Sequence, residues 1–127
     1  MKTTFKKTKQ VIEPVDLVED YKKGIRSIQD TLYILSGKWK VPIMAILCRG
    51  EFRYSEIEKG IPKITPKMLS KELKILEINQ LVERKVYDST PVKVTYRLTK
   101  HGKTLEPLII EMLKWGEKHR AKIINNK

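Results

Sequence analysis

The chain has 127 residues, with 27 Lys plus Arg against 15 Asp plus Glu, a formal net charge of +12 and 40% hydrophobic residues. That length supports one buried core rather than two, and the balance is that of a globular protein, not of a disordered or fibrous one. The longest charge-free runs, such as 41–48, fall far short of the roughly 20 apolar residues of a membrane span, no apolar stretch follows the lysine-bearing first ten residues so no secretory leader is expected, and the single cysteine, Cys48, excludes an internal disulfide and fits a reducing cytoplasm.

A positive excess of this size points to a polyanionic partner, because surface Lys and Arg attract phosphate and release its counterions. It does not say where such a partner binds. Lysine supplies 21 of the 27 cations and no segment concentrates them.

Residues 1–23 form an arm that mixes Phe5, Val11, Ile12, Val15, Leu17, Val18 and Tyr21 with charges around Pro14, and it is either frayed or packed on a partner chain. Ile25, Ile28, Thr31, Leu32 and Leu35 then recur at helical spacing up to Gly37. Trp39, Val41, Ile43, Met44, Ile46, Leu47 and Cys48 predict a second helix, apolar on most sides and therefore central, with Pro42 tolerated in its first turn.

Ser55 followed by Glu58 reads as a capping box that starts a short helix ending at Gly60. After a turn containing Pro62, Thr65 and Pro66 supply an N-cap and a first-position proline for a helix with the apolar stripe Leu69, Leu73, Leu76, running to about Asn79. Residues 81–87 and 92–98 alternate as two strands of a hairpin, with Val92, Val94, Tyr96 and Leu98 inward and Lys93, Thr95 and Arg97 outward. Thr99 caps a long final helix through Leu105, Leu108, Ile109, Met112, Trp115 and His119, which Pro107 should kink.

This order is that of a winged helix-turn-helix: mainly α, five or six helices plus a two- to three-stranded sheet, with the hairpin as wing. The arm would span 1–23, the DNA-binding core 24–99 and a dimerisation helix 100–127. The Thr65-capped helix would enter the major groove, since Lys67, Ser70, Lys71 and Lys74 fall opposite its apolar stripe. An ordinary solvated face, with Glu72 and Glu77 pairing to nearby lysines, explains the same pattern. The capped start favours DNA, because Thr65, Lys67 and Met68 lie where first-turn N–H groups approach phosphates and base edges.

Gly37-Lys38-Trp39, Phe52-Arg53-Tyr54-Ser55-Glu56-Ile57, Ile64-Thr65-Pro66-Lys67-Met68-Leu69 and Pro91-Val92-Lys93-Val94-Thr95-Tyr96-Arg97-Leu98-Thr99, with Gly102, Leu105 and Trp115, resemble the HxlR-type regulators, bacterial proteins related to the MarR group. The resemblance implies a cytoplasmic homodimer on a roughly two-fold symmetric operator in double-stranded DNA. It also implies phosphate contacts at Arg53 and Ser55, wing contacts at Ser89, Thr90 and Lys93, and a dimer interface formed by the first and last helices, here with Leu105, Leu108, Ile109, Met112 and Trp115. A solvated loop is the other reading of the wing. Where members of the family often carry a cysteine, which some use as a thiol switch, this chain has Arg26, and Cys48 lies in a helix expected to be buried, where a thiol is inert packing.

Trp39 and Trp115 are expected in core or dimer packing. His101 and His119 stand without partners at metal-ligand spacing, so neither a metal nor a cofactor is expected, and no nucleophile has a base partner. A small-molecule effector pocket between dimer helices stays open, with no ligand selected. The expected function is a sequence-specific transcriptional repressor. The alternative is a winged-helix module for RNA or protein.

Overall fold

The structure is a computed structural model that describes residues 14–125, with side-chain environments from residue 19 onward. The chain divides into two units, one up to Ser36 and one from Gly37. Among the described residues the first contains one helix, α1 (Pro14–Ile34). It starts eleven residues before the expected Ile25 and runs through position 23, so the second part of the arm is helical. A proline suits a helix start, where its missing N–H has no partner to lose. Within α1 the hydroxyls of Ser27 and Thr31 donate to the carbonyls of Lys23 and Ser27 at 3.1 and 2.9 Å. Phe5, Val11 and Ile12 lie outside the described residues.

The second unit runs α2 (Lys40–Leu47), β1 (Phe52–Arg53), α3 (Tyr54–Gly60), α4 (Pro66–Ile78), β2 (Val82–Tyr87), β3 (Lys93–Leu98), α5 (Lys100–Lys103) and α6 (Glu106–Asn125). As its apolar composition requires, α2 is central: Ile43, Met44 and Leu47 are buried, and the helix packs against α3, α4, α6 and β3. Around it the core collects Ile57 of α3, Ile61 and Ile64 of the turn, Leu69, Leu73 and Leu76 of α4, Leu81, Val82 and Leu98 of the hairpin, and Ile109 of α6. Each such side chain contributes about 1.5–3 kcal/mol of transfer free energy, which is what holds the short elements in place.

The sheet is antiparallel with order β1-β3-β2. Its third strand, only two residues long, pairs Phe52 with Tyr96 and Arg53 with Thr95. Two residues cannot show alternation, which is why β1 is invisible in the pattern. Its presence makes β3 the middle strand and changes what that strand buries. Thr95, expected on the solvated side, is only 2% exposed, whereas Val92, expected inward, precedes the strand and is exposed.

The final helix is two helices. Thr99 caps α5, its hydroxyl accepting from the N–H of Gly102 at 2.9 Å and donating to the carbonyl of Gln80 at 2.6 Å. The chain then turns at Thr104 and Leu105, and α6 restarts with Pro107 in its first turn, where no N–H is needed. A break therefore replaces the expected kink. At Gly102 a Cβ would stand 2.0 Å from the carbonyl oxygen of Leu81, so the close approach of α5 to the hairpin requires glycine. Among the described residues no helix is long and apolar enough to cross a membrane.

Candidate nucleic-acid interface

The helix-turn-helix is α3, the turn 61–65 and α4. The start of α3 differs from the expected capping box. Arg53, with extended backbone, occupies the N-cap position, its N–H donates to Glu56 Oε1 at 2.7 Å, and Ser55 falls inside the helix. Glu56 outcompetes Glu58 because it sits three residues from the N-cap that the β1 pairing imposes. Ser55 and Arg53 both remain exposed beside this turn, with the Glu56 carboxylate close by.

The start of α4 is as expected. Thr65 is the N-cap, its Oγ1 accepting from the N–H of Met68 at 3.2 Å, and Pro66 is the first helical residue. Leu69, Leu73 and Leu76 are buried, while Lys67, Met68, Ser70, Lys71 and Lys74 are exposed on the other side. Two contacts lock this helix in its setting. The Tyr54 hydroxyl of α3 donates to the carbonyl of Pro66 at 2.7 Å and lies 3.0 Å from Ser70 Oγ, so Ser70 is engaged within the fold as well as exposed. Glu72, expected to pair with nearby lysines, instead reaches across to Lys40 of α2 in an ion pair of 2.9 Å whose side chains are only 11% and 9% exposed. Glu72 sits on the same stripe as Leu69, Leu73 and Leu76, so a charged residue at a core position is the available clue to such a partner.

The wing carries a second polar cluster that the sequence pattern does not reveal. One oxygen of Glu51, Oε2, accepts from both the Tyr87 hydroxyl of β2 and the Thr95 hydroxyl of β3. The other, Oε1, lies 3.7 Å from the guanidinium of Arg97, which also pairs with Glu83. The hydrogen bonds from Thr95 and then Tyr87 hold the Glu51 carboxyl below its ordinary range, and the same bond raises the Tyr87 phenol. The ammonium groups of Lys93 and Lys85 lie over the Tyr87 ring, 5.2 and 5.4 Å from its centre. Ser89 and Thr90 are exposed at the tip, and the Ser89 hydroxyl donates to the carbonyl of Pro91 at 2.8 Å.

On α6, Leu108, Met112 and Trp115 are exposed and Ile109, 5% exposed, belongs to the core; Leu105, in the turn before α6, is half-buried. Trp115 is 67% exposed and stacks on His119, ring centres 4.8 Å apart. Trp39 is half-buried at the N-cap of α2 with the Lys38 ammonium 4.8 Å from its ring centre. Cys48 is half-buried, and burial followed by the charge of Glu106 raises its thiol. Among the described residues no group of three His, Cys, Asp or Glu side chains could hold a metal ion.

A capped basic helix seated on a helix-turn-helix, with a three-stranded wing behind it, defines a winged helix-turn-helix regulator. Residues 34–123 match the family described as HxlR-like helix-turn-helix, and the chain belongs to that family. The HTH-type transcriptional regulator YdeP of Bacillus subtilis (strain 168) is 44% identical over 96 residues, which are 76% of this chain and 75% of that protein. The reduced form of the redox regulator HypR superposes with a TM-score of 0.73 at 37% identity, over 78% of this chain and 98% of that one. The reduced form of the transcriptional regulator YodB from B. subtilis gives 0.65 at 39% identity, over 72% and 90%. The chain is a transcriptional regulator of helix-turn-helix type, a family without enzymatic activity.

Proposed function

We propose that this protein is a cytoplasmic homodimeric repressor that binds a pseudo-palindromic operator in duplex DNA and blocks the promoter by occupying it. The observation that carries the reading is the exposed face of α4: Lys67, Lys71 and Lys74 project from a helix that Thr65 caps and that three buried leucines fix to the core. In this reading α4 enters the major groove with Thr65, Lys67, Met68, Ser70, Lys71 and Lys74 toward bases and phosphates. Arg53 and Ser55 lie beside a backbone phosphate, and the wing, with Ser89, Thr90 and Lys93, reaches the flanking groove.

The dimer is supported by the apolar side chains that α6 leaves exposed, Leu108, Met112 and Trp115 among them, since such a stripe on a charged protein is stabilised by a second copy. Residues 24–99 act as the reading head, and the segment 100–127 serves dimerisation through α6. The test is a gel shift with DNA upstream of the protein's own gene and of its neighbours. Retarded complexes that outlast competitor DNA at physiological salt are expected. A flat preference across duplex sequences would transfer the module to RNA or protein, and a monomer by light scattering at micromolar concentration would refute the dimer.

A further inference from the structure

The strongest unassigned cluster is the one around Glu51, a residue in the connection between α2 and β1 rather than in the wing itself. Its carboxylate gathers one side chain from β2, Tyr87, and two from β3, Thr95 and Arg97. These residues share one face of the sheet, because Tyr87 pairs with Lys93 and alternation then places Lys93, Thr95 and Arg97 together. The opposite face already packs its Val82 and Leu98 into the core. The hairpin is thus held near its base on both faces but near its tip chiefly by this cluster, since Tyr87 and Lys93 are the last paired residues before the exposed loop.

We infer that Glu51 is the positioning residue of the wing: its carboxylate sets the direction in which the hairpin leaves the core, and so whether the tip and Lys93 reach DNA beside the α4 site. The inference deepens the DNA-binding reading and rests on it for that last step. A carboxylate accepts all three contacts at once, whereas an amide in its place offers one carbonyl oxygen and an N–H donor group, which a Tyr87 or Thr95 hydroxyl accepts only by turning its own proton away and which the Arg97 guanidinium cannot accept at all. Removing the charge while keeping the shape therefore loosens the cluster, through the lost attraction for Arg97 and the lost acceptor oxygen, without leaving a hole. Arg53 and Glu56 also line the cleft beside the cluster, and the Glu56 carboxylate stays bonded to the Arg53 backbone N–H when Glu51 is neutralised.

The test uses the full chain in two arms. In the free protein, hydrogen exchange of Glu51→Gln is expected to rise at least about tenfold in the 85–95 segment while α2 and α4 keep the wild-type rates. Tyr87→Phe, which removes one donor and no charge, should do the same to a smaller degree, and the double variant should be no worse than Glu51→Gln alone. Unchanged exchange in both variants overturns the inference. In the second arm, the probe is the duplex that wild-type protein selects from a random-sequence pool, whole or trimmed of its flanks. Glu51→Gln should bind the whole duplex about tenfold more weakly and the trimmed one as the wild type does. Equal weakening on both duplexes, or none, overturns the role in DNA contact. If wild-type protein selects no duplex, the DNA-binding reading itself fails and the exchange arm alone decides what Glu51 does.

Discussion

Replacing Lys40 by Met leaves the Glu72 carboxylate inside the interface between α2 and α4 with no opposite charge. Because the pair is 2.9 Å apart and about nine-tenths buried, little water reaches it in compensation. Breaking one partner of such a pair costs about 3–5 kcal/mol, and the residual exposure places this one near 3 kcal/mol. For a chain of this size that is roughly a 10 °C drop in Tm. Glu72→Leu should also destabilise the protein, by taking the carboxylate away from the buried Lys40 ammonium. The double variant, Lys40→Met with Glu72→Leu, should recover most of that stability, since an apolar pair of similar volume needs no desolvation of charge. Urea melts of the four proteins at pH 7, read at constant m-value, complete the cycle. The reasoning is refuted if each single variant is destabilised by less than about 1 kcal/mol, the behaviour of a surface pair, or if the double variant shows the sum of the two effects.

Three further outcomes are expected. Lys67→Ala and Lys71→Ala should weaken operator binding and lower the salt slope by about 0.9 for each phosphate that the protein then leaves unneutralised, with a Tm near wild type because both side chains are exposed; equal effects on stability and binding would place them in the fold. Gly102→Ala must displace backbone at Leu81, so thermal melts should show a destabilisation of at least about 2 kcal/mol. The Cys48 thiol, raised by burial and by Glu106, carries less thiolate at neutral pH than a free cysteine. Its alkylation by iodoacetamide should be slower than that of glutathione at pH 7.5 and should keep accelerating at higher pH than glutathione does; an equal or faster rate at pH 7.5 would contradict that environment.

The central helix, the Thr65 cap and the hairpin are legible in the sequence because each is a local rule acting over a few neighbouring residues: an apolar run, an N-cap followed by proline, a period of two. What escapes depends on partners distant in sequence. Helical spacing pairs Glu72 with neighbouring lysines because it knows nothing of Lys40 across the core. Strand alternation puts Thr95 in solvent because nothing in its strand announces Glu51, 44 residues earlier. Side-chain chemistry favours Ser55 over Arg53 as the N-cap, while the β1 pairing with β3 decides the matter through the backbone. Of the candidate site, the lysine face of α4 is readable, but the devices that aim it, Tyr54 against Pro66 and Glu72 against Lys40, are not.

The middle position of β3 has a consequence for how the length of this protein can change. Its register is set from two sides, by Phe52 and Arg53 on one edge and by the residues from Val82 to Tyr87 on the other. One residue inserted just after Lys93, with the Tyr87–Lys93 rung kept, would swap the faces of the rest of β3, turning Thr95 away from Glu51 and Leu98 out of the core in the same step. Residues inserted at 88–92 lie beyond the last rung, Tyr87 with Lys93, and disturb neither ladder. The reach of the wing is therefore adjustable by insertion and deletion at the tip alone, independently of α4 and of the ladders that hold β3.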